Sequence, residues 1–352
     1  MDAWITHLGH ALPGPPLPQA AITAWIERRL APGADPERLR RISDRSGVAV
    51  RHATIDLLGA EGDALYPVGA AHADAYQRSR AFTQHAPTLA VAAVHAACPD
   101  GLPTITHLIV ATCTGAVAPG LDHLLVEALA LPRSVRRTMI TFMGCYAAMP
   151  ALRAARNAVL ANPGTRALVV CCELSSLHLH AGPDDDALVA ACLFADGAAA
   201  AVVEASDTPH GARLRFSRDV CAVIPDSADQ MAWSAAADGF RLRLAPGISR
   251  VLAPALPGLT DELLGGIRRD DVRWCVHPGG PRILDDIEHV LKLSTDALAA
   301  SRSALRQGGN RSSATVLAML ADQCQQPWSG PLAMYAFGPG LTAEGLLLER
   351  IT

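Results

Sequence analysis

Apolar positions along this chain fall into short runs that alternate with stretches of helical period. Residues 106–112 predict a strand ending in Cys113-Thr114-Gly115, and 120–131 predict the helix after it. Residues 138–143 predict a second strand, which reaches Gly144-Cys145, and an Ala-rich helix follows over 147–161. Next come a buried strand over 167–172 and a helix over 184–193 with the acidic first turn Asp184-Asp185-Asp186. A turn at Asp196-Gly197 then leads into a strand over 198–203. Upstream lie a short strand, the Pro-rich loop 13–18, a helix over 22–30, a helix opening at Asp35-Pro36, and an amphipathic Ala-rich helix over 71–97.

The second half repeats this order. A strand over 272–276 ends in His277-Pro278-Gly279-Gly280, with a helix over 283–292 after it. The turn Gly308-Gly309-Asn310 opens a helix over 312–323. A strand over 332–336 ends in Phe337-Gly338-Pro339-Gly340, and a last strand covers 343–350. The Cys113 turn corresponds to the His277 turn, and the Cys145 helix to the Asn310 helix. A duplication of alternating strands and helices predicts two α/β halves, 1–206 and 207–352. Sites in such folds lie beyond strand C-termini, where Cys113, Cys145, His277, Asn310 and Gly338 all fall.

Composition narrows the class. The 352 residues exceed what a single core usually covers, half are hydrophobic and 18% are charged, so the chain is globular. A net charge of −4 leaves no footprint for nucleic acid. No apolar run reaches the length of a membrane span, and no secretory signal opens the sequence. Nine cysteines without a Cys-x-x-Cys pair argue against disulfides and zinc, and for a reducing cytoplasm. His178 and His180 have a spacing better suited to structural roles than to a metal.

Cys145 is the candidate of most interest. A small buried thiol is the ordinary reading of a lone cysteine, but a thiol at a strand-to-helix turn meets converging N–H groups that favour thiolate. His277 can supply the base or the counter-charge. Asn310 can add an amide donor, and imidazole and amide together can stabilise an oxyanion or enolate. Arg38, Arg41 and Arg45 lie at i, i+3 and i+7 on one helical face. That stripe is either a solvated surface or a phosphate site.

Several blocks then resemble the type III polyketide synthases of the chalcone synthase superfamily. They are Gly144-Cys145-Tyr146-Ala147-Ala148, His277-Pro278-Gly279-Gly280-Pro281-Arg282, Gly309-Asn310-Arg311-Ser312-Ser313 and Phe337-Gly338-Pro339-Gly340, with Leu193-Phe194-Ala195-Asp196-Gly197. The resemblance implies a five-layered αβαβα thiolase fold, a homodimer and a Cys145-His277-Asn310 triad. In it Cys145 carries the starter and growing chain, while His277 and Asn310 hold the malonyl thioester and its enolate. Phe194 matches the gatekeeper between the CoA tunnel and the cavity, and Arg38, Arg41 and Arg45 match CoA-phosphate residues. Cys113, Thr114, Gly280, Ser312 and Gly338 match substrate-binding or cavity-lining positions.

The substrates implied are an acyl-CoA starter and malonyl-CoA, with no metal, redox cofactor or carrier protein. The product is a poly-β-keto chain cyclised to a resorcinol, phloroglucinol, naphthol or pyrone. Cys113, Ala118, Ala195 and a short segment at 239–246 depart from plant relatives. Cys113 is expected to shape the pocket more than to act as a second nucleophile. An alanine-lined wall would suit a long acyl starter. The rival readings are a single-step β-ketoacyl-carrier-protein synthase, a papain-like protease, which shares the order Cys, His, Asn, and a catalytically silent scaffold of the same fold.

Overall fold

The computed structural model describes residues 1–162, 164–207, 213–245 and 247–351. Its strands are β1 (Asp2–Ala11), β2 (Leu17–Pro18), β3 (Val50–Arg51), β4 (His107–Thr112), β5 (Arg136–Thr141), β6 (Arg166–Leu174), β7 (Asp196–Ser206), β8 (Arg213–Val223), β9 (Met231–Ala236), β10 (Gly239–Leu244), β11 (Arg273–Val276), β12 (Gly330–Gly338) and β13 (Thr342–Ile351). Its α-helices are α1 (Gln19–Glu27), α2 (Pro36–Arg45), α3 (Ala60–Leu65), α4 (Ala75–Ala97), α5 (Leu121–Ala128), α6 (Ala148–Ala161), α7 (Asp185–Leu193), α8 (Ile248–Leu252), α9 (Leu256–Leu264), α10 (Pro281–Leu291), α11 (Ala299–Gly308) and α12 (Ser313–Cys324). The boundary expected at 206/207 adjoins residues 208–212, which lie outside the described residues, as does Pro246.

Nine strands form one sheet in the order β11-β12-β13-β8-β1-β7-β6-β4-β5. The repeat is visible in this order. Strands β4, β6, β7 and β1 of the first half correspond to β11, β12, β13 and β8 of the second. In both halves the strand before a site turn, β4 before Cys113 and β11 before His277, is paired in parallel with the next corresponding strand, β6 or β12. The halves join where β1 pairs with β8 through Trp4↔Arg215 and Ile5↔Leu214.

Period-two alternation separates the layers, because successive strand side chains point to opposite faces. Ala198, Ala200 and Val202 of β7 join one core with α4, while Ala199, Ala201 and Val203 join a second core with α6 and α12. In the second half Leu332, Met334 and Ala336 of β12 share that middle core, whereas Ala333, Tyr335 and Phe337 face a third core with α9 and α10. Helix, sheet, helix, sheet, helix is the five-layered arrangement of the thiolase fold. Helix α12 is buried on every side from Ser313 to Ala321, as expected of a helix sandwiched between sheet faces.

Two sequence readings change. Asp196-Gly197 begins β7 and is not a turn. The Asp196 carboxylate accepts from Thr54 N (2.8 Å), Ser176 N (2.7 Å) and Ser176 Oγ (2.6 Å), so it binds neighbouring loops to the strand. Burial pushes its pKa up to about 6. The unassigned stretch between the halves contains β8, the hairpin β9–β10 and helices α8 and α9.

Candidate active site

Strand β5 ends at Thr141, and the backbone turns sharply through Phe142 (φ 58°) and Gly144 (φ 73°). A Cβ on Gly144 would lie 2.3 Å from Pro339 Cδ, so both its conformation and its contacts require glycine. Cys145 follows in a single 3₁₀ turn, Gly144–Tyr146, that leads into α6. Gly144 N donates to Cys113 Sγ at 3.0 Å, so the turn after β4 holds the turn after β5. Cys113 is buried, and burial raises its thiol well above the ordinary value. It is a neutral acceptor here, in keeping with a shaping role.

Asn310 comes from the other half. It forms a parallel bridge with Phe194, in which Asn310 N donates to Leu193 O (2.8 Å) and Ala195 N to Asn310 O (2.9 Å). Gly309 makes the close approach possible, since a Cβ there would meet Ala195, Arg51 and Leu193 O at 3.0 Å. Ser312 N donates to Asn310 Oδ1 (2.9 Å). A backbone N–H can only donate, so this contact fixes the amide orientation and leaves Nδ2 for the cavity. Cys145 Sγ lies 3.9 Å from the same Oδ1.

His277 follows β11, and its N–H donates to Tyr335 O at 2.7 Å. The ring is buried, and neither Nδ1 nor Nε2 has a hydrogen-bond partner. Thus imidazole and thiol share one cavity without the direct contact expected of an ion pair. Burial favours the neutral form of each. It pushes Cys145 up to about 12, against smaller opposing hydrogen bonds from Ser312 and Asn310. It pushes His277 down to about 3, with help from the charge on Arg311.

All three side chains line one cavity of about 810 Å³. Arg38, Arg41 and Arg45 line it as well, from the exposed face of α2. The family described as chalcone and stilbene synthases matches with its N-terminal domain over residues 2–207 and with its C-terminal domain over residues 213–352. The chain belongs to the chalcone and stilbene synthase family, the type III polyketide synthases.

It is 33% identical over 333 residues to the α-pyrone synthesis polyketide synthase-like Pks18 of Mycobacterium tuberculosis, covering 90% of this chain and 83% of that one. The type III polyketide synthase domain of Steely1 from Dictyostelium superposes with a TM-score of 0.90 at 27% identity, each chain covered in full. PKS-I of the brown alga Ectocarpus siliculosus gives 0.91 at 29% identity, over 99% of this chain and 98% of that one. The synthase is therefore an acyltransferase of this class, and the protease and scaffold readings fall away.

Within the synthase, Cys113, Thr114, Phe194, Gly280 and Ser312 line the cavity as expected. Gly338 does not. A Cβ on it would lie 2.6 Å from Tyr146 Cδ1 and 3.1 Å from Met143 O, so it backs the Cys145 turn while its neighbours Phe337 and Pro339 reach the wall. His178 and His180 are structural, donating through Nε2 to Thr114 O (2.8 Å) and Phe240 O (2.9 Å). Among the described residues no cluster of three or more His, Cys, Asp or Glu is placed to hold a metal, and no helix is long and apolar enough to cross a membrane. Sequence reasoning missed Arg51, whose Nη1 donates to Ala191 O (2.7 Å) and Phe194 O (2.8 Å) and so anchors the Phe194 loop. It also missed Trp233 on the cavity wall and Glu173 behind it.

At the mouth, Arg38 pairs with Asp185 and Arg41 lies 3.6 Å from Asp35, while Arg45 has no ion pair among the described residues. Arg45 is thus the most available cation for a phosphate. Arg45→Glu is expected to raise KM for malonyl-CoA about tenfold with kcat little changed, an effect that shrinks as salt is added. Steady-state kinetics at two ionic strengths check this.

Proposed function

We propose that Cys145 carries the acyl chain as a thioester, while His277 and Asn310 drive malonyl-CoA decarboxylation and hold the resulting enolate. The observation that carries this reading is the single cavity with thiol, imidazole and amide inside and three arginines along it. The Cys145 thiol gives its proton to His277 and attacks the starter thioester, and CoA departs as the thiol. Malonyl-CoA then loses CO2, and the electron pair left behind is an enolate whose oxygen accepts from the imidazole and the amide. Its carbon attacks the cysteinyl thioester and expels the Cys145 thiolate. Transfer of the longer chain back to Cys145 restarts the cycle. CoA thioesters bring their own activation, so the steps draw on no redox cofactor, metal or carrier protein. The nine free cysteines suit a reducing cytoplasm, and the subunit works as a homodimer.

The starter is compact. The wall expected to be alanine-lined carries Trp233, Leu242 and Leu244 from β9 and β10 beside Ala245, while Ala195 is buried away from it and Ala118 lines a neighbouring space. Beyond Phe194, Trp233 and Leu242 lies a second chamber of about 160 Å³ that shares them as walls. A dry cavity of roughly 150 Å³ accommodates one benzene ring. A ring-sized or short acyl group fits this chamber by itself, and a longer one would have to pass His178 and Phe240 into the adjoining space of about 720 Å³ beside Ala118. Mass spectrometry of products from labelled malonyl-CoA and an acyl-CoA panel tests both levels. Turnover is expected to favour starters up to one ring in size, with Trp233→Ala shifting it toward longer ones. Best turnover of a long-chain starter by the parent would overturn the size limit, and absence of condensation with every starter would overturn the reaction.

A further inference from the structure

Glu173 closes β6 and is fully buried. No arginine, lysine or histidine pairs with it among the described residues, although a buried carboxylate usually needs a cation. Its partners are hydrogen-bond donors from both halves of the chain. Oε2 accepts from Cys113 N (3.0 Å) and Thr114 Oγ1 (2.9 Å), with Thr112 Oγ1 at 3.4 Å. Oε1 accepts from Ser313 Oγ at 2.5 Å.

Each set of donors leads to a different part of the chemistry. Cys113 Sγ accepts Gly144 N, the amide just before Cys145. Ser313 opens α12 beside Ser312, whose N–H holds the Asn310 amide. We infer that Glu173 is a positioning residue: one carboxylate oxygen fixes the Cys145 side, the other fixes the Asn310 side, and the carboxylate sets the registry between them. The inference rests on the roles proposed above for Cys145 and Asn310.

Decarboxylation of malonyl-CoA needs His277 and Asn310 alone. Carbon–carbon bond formation needs the enolate they hold to face the thioester on Cys145. Loosening Glu173 therefore separates two activities that share one site. A general loss of structure would lower both together.

Glu173→Gln keeps the shape and leaves the fold its bulk. Cys113 N–H can only donate, so the amide oxygen stays there and the NH2 turns to Ser313, whose hydroxyl must reverse and whose N–H loses its acceptor. Ser313→Ala removes the hydroxyl of that tie from the opposite end and leaves the Ser313 N–H in place. For each variant, CO2 release and polyketide formation are measured side by side with one starter. The ratio of condensation to decarboxylation is expected to fall about tenfold in each variant, with KM for malonyl-CoA within about twofold of the parent. The double variant is expected to fall well short of the sum of the two single ones, because both act on the one Glu173–Ser313 contact. A parallel fall in both activities, an unchanged ratio in either variant, or full additivity in the double variant would overturn the inference. Failure of the underlying reading shows separately, as a parent that releases CO2 and condenses nothing.

Discussion

Cys145→Ala is expected to lose polyketide formation by at least about a thousandfold while still releasing CO2 from malonyl-CoA. Among the described residues Cys145 is the cavity thiol free to carry an acyl chain, because Cys113 is buried and committed to Gly144 N. The pair proposed to drive decarboxylation is untouched, since Asn310 is oriented by Ser312 N and His277 by its place after β11. Radiolabelled CO2 and product chromatography measured in parallel check the result, and loss of both activities would contradict it. The same variant isolates His277 for a pH profile. Burial and Arg311 hold its pKa down to about 3, so decarboxylation is expected to stay flat from about pH 5 to 8, without the inflection near 6.5 of a solvated imidazole. The sign for stability follows by linkage. As pH falls below about 6.5, the unfolded chain takes up a proton that folded His277 refuses until about 3. This group therefore costs stability progressively through that window.

Asn310→Asp is expected to be at least as damaging as Asn310→Ala, although it is nearly isosteric. Loss of one preorganised donor costs roughly a hundred- to a thousandfold. Aspartate keeps an oxygen for Ser312 N, so the local backbone is preserved, but it replaces the Nδ2 donor with a second acceptor and adds negative charge beside the forming enolate. Both decarboxylation and condensation are expected to fall, whereas acyl loading onto Cys145, followed by intact-protein mass spectrometry, should persist. Activity retained in Asn310→Asp would show that Asn310 serves the backbone and not the enolate.

Much of this was legible in patterning. Strands that end at Gly144-Cys145, at His277-Pro278 and at the turns beside Cys113 and Gly338 are short apolar runs with clear breaks, and their repetition foretold the two halves. The stretch around β8 was not legible, because Arg215 and Arg218 break its apolar alternation. Their charges are met only by distant partners, Glu349 and Asp2 for Arg215 and the Leu264 carbonyl for Arg218. Glu173 was passed over as one acid in an apolar run, when a carboxylate in such a run was itself the signal of buried donors. Gly338 was placed on the wall by its neighbours' motif, but which of three successive residues faces a cavity depends on strand pleat and packing. Asp196-Gly197 has turn composition, and the glycine is there for Arg311, whose Cδ would lie 2.7 Å from a Cβ at that position.

The seam at β1 has a bearing on how the chain is made. Trp4 Nε1 donates to Ser206 O, 202 positions downstream, and the same strand then bridges to β8. On a ribosome adding about 5–20 residues per second, the leading strand waits on the order of 10–40 seconds before its partners emerge. During that interval its edges have no native strand partner, although α4 can cover one face once residue 97 has emerged, so chaperone demand and aggregation during synthesis should concentrate on the first strand, well away from the site where the chemistry is done.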